Sequence, residues 1–296
     1  MEAGSEAMDA FETALRLIPP RYLDKCRRSF GAEAEEFRLR VGRNMTVLCA
    51  GREIALPGEP LREDELLRTL EKATGASLHS AAAEMARGFI ACEGLRIGLC
   101  GVVVEQNGAV KGFRSYSSLS IRIPHEVRGA CDGIFRRLTA GDYENTLILS
   151  PPGGGKTTAL RELIRLFADS GCRVGVVDER GEIAGAGSGR AGFDLGRSSD
   201  VLTLCPKREG AMMLLRGMNE QLLAMDEITQ REDLAVIREI VGCGVGLLAT
   251  AHAAGTDELR RRPLYAALLE ERLFTRAVVI TREQGRRRYE LRPLTP

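Results

Sequence analysis

The chain of 296 residues contains no tryptophan, and its five tyrosines and nine phenylalanines bring aromatic content to only 5%. Such scarcity weighs against a protein that works by stacking bases or sugars on exposed rings. An excess of charge of either sign is also missing, since 42 Lys and Arg stand against 41 Asp and Glu for a formal net charge of +1. Bulk electrostatic attachment to nucleic acid is thereby excluded, as is an acidic tail protein, and any basic surface has to be local. No window approaches the roughly 20 apolar residues that span a bilayer. The first residues carry Glu2, Glu6 and Asp9 and no basic segment leading into an apolar one, so no signal peptide is expected. The eight cysteines form no C-x-x-C pair and no Cys/His spacing that suits zinc, which reads as reduced, mostly buried thiols of a cytosolic protein.

What is present is a chain long enough, and at 44% hydrophobic apolar enough, to bury a core in about two domains. Residues 1–128 read as a mixed α+β domain. Apolar spacing predicts a helix over Asp9–Leu17, ended by Pro19-Pro20, and Phe37, Leu39 and Val41 alternating with Arg38 and Arg40 predict a strand over Glu36–Val41. A hairpin is expected from Met45 to Leu56, and helices over Arg62–Ala73 and Ser80–Ala86. Strands are expected over Phe89–Cys92, Leu95–Val104, Val110–Phe113 and Ile121–Ile123, with Asn107-Gly108 as a turn.

Residues 129–296 form the second domain, where short apolar runs alternate with helical patterns. The runs are Thr146–Leu149, Val174–Val177, Val201–Leu204, Leu222–Met225 and Val245–Ala249. Between and after them fall helices over Thr157–Ala168, Glu209–Met218, Glu232–Val241 and Asp257–Glu270. Near-continuous apolar strands separated by helices indicate a parallel sheet covered on both faces. Phe274–Ile280 and Arg288–Arg292 complete it as an antiparallel hairpin around Gln284-Gly285.

Directly after the strand Thr146–Leu149 stands Ser150-Pro151-Pro152-Gly153-Gly154-Gly155-Lys156-Thr157-Thr158. It fits G-x-x-x-x-G-K-[ST], with Ser150 in place of the first glycine. Glycines let the backbone curl with its N–H groups inward, and the following helix N-terminus adds positive potential for phosphate oxygens. Lys156 would reach the β- and γ-phosphates of ATP, and the Thr157 hydroxyl would ligate Mg2+. An ordinary glycine-rich turn would show the same composition, but a place between strand and helix is what nucleotide binding requires.

Such a loop needs an acid at the end of a neighbouring strand, and Leu222–Met225 leads into Asp226-Glu227. Asp226 is placed to hold Mg2+ through water, and Glu227 to polarise the attacking water or sense the γ-phosphate. A second acidic cluster, Asp178-Glu179-Arg180-Gly181-Glu182, follows Val174–Val177, so the general base is either Glu182 or Glu227. The fifth strand ends in Ala249-Thr250-Ala251-His252, and His252 is one of three histidines. A polar pair at the carboxyl end of a parallel strand lies where open α/β sheets bind ligands.

These segments, Ser150–Thr158, Val176–Ala184, Asp226-Glu227-Ile228 and Thr250-Ala251-His252, together with Gly88–Val104 and Ser117–Ile123, resemble the stage III sporulation protein AA family. That family is similar to the type II and type IV secretion and pilus ATPases, which are RecA-like hexameric motors. The resemblance implies a RecA-like P-loop NTPase domain with a parallel sheet over 129–296, preceded by a smaller α+β N-terminal domain over 1–128. It implies ATP and Mg2+ as cofactors, a homo-oligomer in the form of a hexameric ring, and membrane channel proteins of a sporulation secretion-like apparatus as partners. The place of action would be the cytoplasm of the mother cell, with recruitment to the membrane by a partner at the mother cell–forespore channel.

By the same resemblance Glu182 is the favoured base, Thr250 and His252 match a histidine box, and Asp226-Glu227 falls on a Gly-Glu motif, an acid replacing glycine. Arg96, Arg114 and Arg122 are the candidates for arginines that such motors lend to nucleotide from the N-terminal domain. The zinc-binding tetracysteine module of the secretion ATPases is missing. A nucleic-acid-dependent ATPase is the other reading, kept open by Arg260-Arg261-Arg262 and Arg286-Arg287-Arg288, although low net charge and few aromatics argue against obligatory nucleic acid. A small-molecule kinase would need a lid that the first domain does not resemble, and a nucleotide-regulated scaffold with little turnover is a further reading.

Overall fold

The computed structural model describes residues 3–75, 82–124, 128–185, 192–283 and 286–295. The chain divides into two compact units, 1–126 with 185–192, and 127–184 with 193–296.

In the first unit, helices α1 (Ala3–Leu17) and α2 (Leu23–Ser29) precede strands β1 (Ala34–Arg40), β2 (Thr46–Cys49) and β3 (Arg52–Ala55). Then come α3 (Glu63–Ala73), α4 (Ala82–Ala86), β4 (Phe89–Cys92), β5 (Leu95–Gln106) and β6 (Ala109–Arg122). The six strands form one sheet in the order β3-β2-β1-β6-β5-β4. Its apolar face, with Phe37, Leu39, Ile97, Leu119 and Ile121, packs with Phe11 and Leu15 of α1 and Leu66 and Leu70 of α3. Period-two alternation leaves the other face polar, and Arg38, Arg40, Arg96, Arg122, Ser118 and Ser120 line a groove of about 320 Å³ there.

Several expected boundaries shift in this unit. α1 begins at Ala3 rather than Asp9, and α2, a charge-rich turn that buries only Cys26, has no sequence signal of its own. The segments expected as Val110–Phe113 and Ile121–Ile123 are one strand, because β6 pairs with β5 from Gln106↔Ala109 to Arg96↔Arg122. Three register shifts, at Cys100/Gly101, Val102/Val103 and Val104/Glu105, let so long a ribbon twist. Asn107 and Gly108 turn it with φ of +56° and +75°, the both-positive pattern of a two-residue hairpin. Ser80, the expected start of α4, lies outside the described residues.

The second unit starts with α5 (Asp132–Leu138), β7 (Thr146–Ser150), α6 (Lys156–Asp169), β8 (Val174–Asp178) and β9 (Ser199–Thr203). It continues with α7 (Lys207–Gly217), β10 (Leu222–Met225), α8 (Arg231–Gly242), β11 (Gly246–His252), α9 (Thr256–Arg260), α10 (Pro263–Glu270), β12 (Arg276–Glu283) and β13 (Arg286–Pro293). The seven strands lie in the order β13-β12-β7-β11-β10-β8-β9, with only β13 antiparallel. Alternate residues enter two cores: Leu147, Leu149, Leu223 and Met225 join α7, α8 and α10 on one face. Ile148, Val176, Ala224 and Leu248 join α5 and α6 on the other.

The helix expected over Asp257–Glu270 is broken in two, because Pro263 opens α10 and holds Arg262 extended at φ −101°, ψ 121°. The short helix α5 was not expected, since its only buried apolar pair is Ile134 and Leu138. β12 and β13 pair antiparallel as expected, and the turn residues Gln284-Gly285 lie outside the described residues.

Candidate functional site

The carboxyl ends of β7, β11, β10 and β8 lie side by side. Register aligns them, with Ser150 opposite His252, and Met225 opposite both Ala249 and Val177. The next residues along, Thr250, Asp226 and Asp178, therefore meet at one edge of the sheet, where open α/β sheets bind ligands.

β7 runs into the glycine-rich loop. A Cβ added at Gly154 would lie 2.4 Å from Ser150 Oγ, and Gly153 and Gly155 hold φ of +72° and +100°, so the curl demands glycine. The Gly154 N–H donates to the Pro151 carbonyl at 3.1 Å. α6 starts from Gly155 without a side-chain cap. Its first-turn N–H groups thus keep their positive end for an anion.

Lys156, at the start of α6, is 7% exposed. Its ammonium donates to His252 Nδ1 at 2.7 Å and to the Ser150 carbonyl at 3.3 Å. Burial lowers the Lys156 pKa, while the Glu227 and Asp226 carboxylates oppose the shift. With Nδ1 accepting, the proton of a neutral His252 ring is assigned to Nε2, which lies 2.7 Å from Glu227 Oε1. The other Glu227 oxygen is 3.4 Å from an Arg180 guanidinium nitrogen. Lys207 donates to the Glu227 backbone carbonyl at 2.5 Å and lies 3.4 Å from Asp233 and 3.7 Å from Glu179.

Asp226 Oδ1 accepts from the Thr250 hydroxyl at 3.0 Å and from the Glu227 N–H at 2.9 Å. Among the described residues both hydrogen bonds of this carboxylate fall on Oδ1, which leaves Oδ2 for a metal-bound water. The described residues hold no cluster of three or more His, Cys, Asp or Glu that could cage a metal. That donor set fits Mg2+, which keeps several waters and takes one or two protein oxygens together with substrate phosphates. Thr157 in the first turn of α6 and Asp226 are the residues that would hold it.

Asp178 is fully buried, and its carboxylate accepts three backbone N–H groups: Glu182 at 2.8 Å, Ile183 at 3.0 Å and Ala184 at 2.8 Å. Burial pushes its pKa up to about 6 despite these bonds, with the Asp226 charge adding to the rise. Asp178 thereby anchors the loop that carries Glu182, and Arg161 of α6 donates to the Glu182 carbonyl at 2.9 Å. In the sequence Asp178 stands out only as part of an acidic cluster. Its spacing of four to six residues from the N–H groups it binds was the available signal. Lys207 and Arg180 had no such signal, since chain folding alone brings them to Glu227.

The loop, Lys156, Asp226, Glu227, Thr250 and His252 thus share one constellation, and Glu182 sits on the adjoining loop. Arg96, Arg114 and Arg122 belong to the first unit. Arg96 and Arg122 are paired across β5 and β6, Arg122 lies 3.7 Å from Glu36, and Arg114 is exposed on the ribbon. Three of the six arginines in the basic runs that kept a nucleic-acid reading open are ion-paired. Arg260 lies 3.7 Å from Asp257, Arg262 pairs with Glu258, and Arg288 pairs with Glu283 and Glu290 at 3.3 and 3.6 Å.

The family described as "Sporulation stage III, protein AA" matches residues 18–290. The stage III sporulation protein AA of Bacillus subtilis (strain 168) is 36% identical over 259 residues, covering 86% of this chain and 84% of that one. Among solved structures, the Legionella pneumophila ATPase DotB is similar with a TM-score of 0.59 at 16% identity, over 94% of this chain and 81% of that one. The pilus retraction motor PilT with bound ADP is similar with a TM-score of 0.63 at 16% identity, over 94% of this chain and 83% of that one. At such identities the likeness to the two solved structures is one of fold. No helix among the described residues is long and apolar enough to cross a membrane.

Proposed function

Because the chain belongs to the stage III sporulation protein AA family, we propose that it is an ATP-hydrolysing motor of the secretion type that works during sporulation. The observation that carries the reading is the hydrogen-bonded line from Lys156 through His252 to Glu227, which joins motifs 96 residues apart in the chain at the mouth of a glycine loop.

In this reading the N–H groups of Gly153 to Thr158 cradle the phosphates and Lys156 moves from His252 to the β- and γ-phosphate oxygens. Mg2+ held by Thr157 and, through water, by Asp226 would neutralise charge that builds on the transferred phosphoryl group. Glu182 accepts the proton of the attacking water, and Asp178 keeps its loop in place. Glu227 is already engaged, its two carboxylate oxygens lying 2.7 Å from His252 Nε2 and 3.4 Å from Arg180, which leaves the proton-accepting role to Glu182. His252, released as Lys156 turns to phosphate, couples the state of the nucleotide to β11. The molecule would assemble as a hexameric ring in the mother-cell cytoplasm and be recruited by membrane channel proteins.

The test is phosphate release from ATP. Lys156→Ala lowers kcat by about 100-fold or more, since charge stabilisation carries most of this catalysis; full activity in that variant sinks the reading. Glu182→Gln loses more activity than Glu227→Gln, and the opposite order reassigns the base. A mass that stays that of a monomer with ATP bound, at high concentration, rejects the ring. Stimulation by single-stranded DNA that falls steeply with salt would favour the nucleic-acid-dependent reading instead.

A further inference from the structure

The arginine run on β13 is not uniform. Arg288 lies between Glu283 and Glu290, and Arg292 lies 2.5 Å from Glu290. Arg287, paired with Arg282 in the ladder, makes no ion pair among the described residues. Its side chain instead lies on the glycine loop: a Cβ added at Gly155 would be 2.8 Å from Arg287 Nε, 3.1 Å from Cζ and 3.3 Å from Cδ. Gly155 is the residue that starts α6, and it is open to this approach only because it has no side chain.

A guanidinium held at the amino end of a helix is electrostatically misplaced. The helix end is already positive, and cations are favoured at the other end. Arg287 is exposed, so its charge could have been turned to solvent. Two unneutralised positive features focused on one point make sense when an anion sits between them. The sheet order fixes which part of the anion this is. β11 and β10 lie on one side of β7 and bring His252, Glu227 and Asp226, whereas β12 and β13 lie on the other side and bring Arg287. Arg287 therefore flanks the loop on the side away from the metal-holding and water-activating residues.

We propose that Arg287 is a nucleotide-binding residue, which reaches across Gly155 to the phosphates that stay with the product, the α- and β-phosphates, and closes the loop side opposite the acidic strands. The proposal rests on the nucleotide reading of that loop. Because these phosphates are common to ATP and ADP, the contact is made equally before and after hydrolysis and strengthens binding without favouring the transition state.

The experiment is titration of the full chain with fluorescent ADP and with a non-hydrolysable ATP analogue, alongside steady-state ATPase kinetics, for wild type, Arg287→Ala, Arg287→Lys and Arg288→Ala. Arg287→Ala is expected to weaken both nucleotides about tenfold and to raise KM to the same extent, with kcat held within about twofold. Arg287→Lys recovers part of the affinity because it keeps the charge but not the fork. Arg288→Ala, which alters the same hairpin away from the loop, binds as wild type. Unchanged affinity in Arg287→Ala overturns the proposal, and so does a fall confined to kcat, which would make the arginine a transition-state group. Pyrophosphate separates the two readings. A wild type that binds pyrophosphate through Arg287 but neither nucleotide keeps the anion contact and overturns the ATP reading. A wild type that binds none of the three overturns both.

Discussion

In the six-stranded sheet of the first unit only one face is apolar, while the central strands of the seven-stranded sheet are buried on both. β7 and β8 are buried at every position, whereas β5 alternates for five residues and is then exposed to its end. The contrast decides where chemistry can be placed. Along β7, β8, β10 and β11 the central side chains are committed to packing, so polar groups gather at the carboxyl ends, where Asp178, Asp226, Thr250 and His252 are found and which Lys156 reaches from the start of α6. In the first unit the second face is polar, and its arginines spread across strands rather than collecting at one edge.

Substitutions in the two sheets test whether one-sided and two-sided layers respond differently. The largest effect is expected at Phe37, wholly buried on the single apolar face and edge-on to Phe11 with ring centroids 5.9 Å apart. Phe37→Ala should cost about 3–5 kcal/mol in denaturant unfolding. A cost below about 1 kcal/mol would mean that the one-sided layer is not what holds this unit.

Gly175 of β8 asks whether the two-sided sheet has any slack. An added methyl would lie 2.7 Å from Leu223 Cδ2 and 2.9 Å from Glu220 Cγ. Gly175→Ala should destabilise by about 1–3 kcal/mol, and a neutral result would show that the layer can yield.

Glu220, which packs over that glycine, is 6% exposed, and neither of its carboxylate oxygens has a hydrogen-bond partner among the described residues. Burial raises its pKa to about 7, Asp200 adds to the rise and Arg173 opposes it. A folded-state pKa above the unfolded value of 4.5 means that stability falls as pH rises from about 4.5 through about 7, where the folded chain must ionise a buried acid. Glu220→Gln should therefore raise the unfolding midpoint at pH 8, with the gain fading as pH drops and absent below about 4.5. An equal gain at pH 8 and at pH 4 would assign the effect to packing instead.

The smallest effect belongs to the open face. Arg122→Gln, at a side chain 66% exposed and 3.7 Å from Glu36, should change stability by no more than about 0.5 kcal/mol. A loss several times larger would show that this face is covered.

The second sheet was legible because each buried strand is a short apolar run bounded by glycine or charge, and the glycine loop because its residue types admit few other conformations. The ends of those strands were legible as acids and a histidine, but their connections were not. That Lys156 meets His252 follows from the pairing of β7 with β11, which no local pattern reveals. The ribbon of β5 and β6 was read in pieces, since Arg114–Ser120 has little apolar content and takes strand form from the ladder beside it. Arg287 was grouped with its neighbours as a basic run; its distinction from Arg288 exists only once the carboxylates and the loop are in place.

As the outermost strand, β13 pairs with β12 alone among the described strands, and it is charged along its length and ends in Pro293, which has no N–H to offer a ladder. A strand of a second molecule laid against it would bring arginine to arginine and lose a bond at the proline. Growth of this sheet from chain to chain is thus discouraged on that side. Copies of the protein can crowd together at the concentrations an assembly needs without templating a fibre through β13.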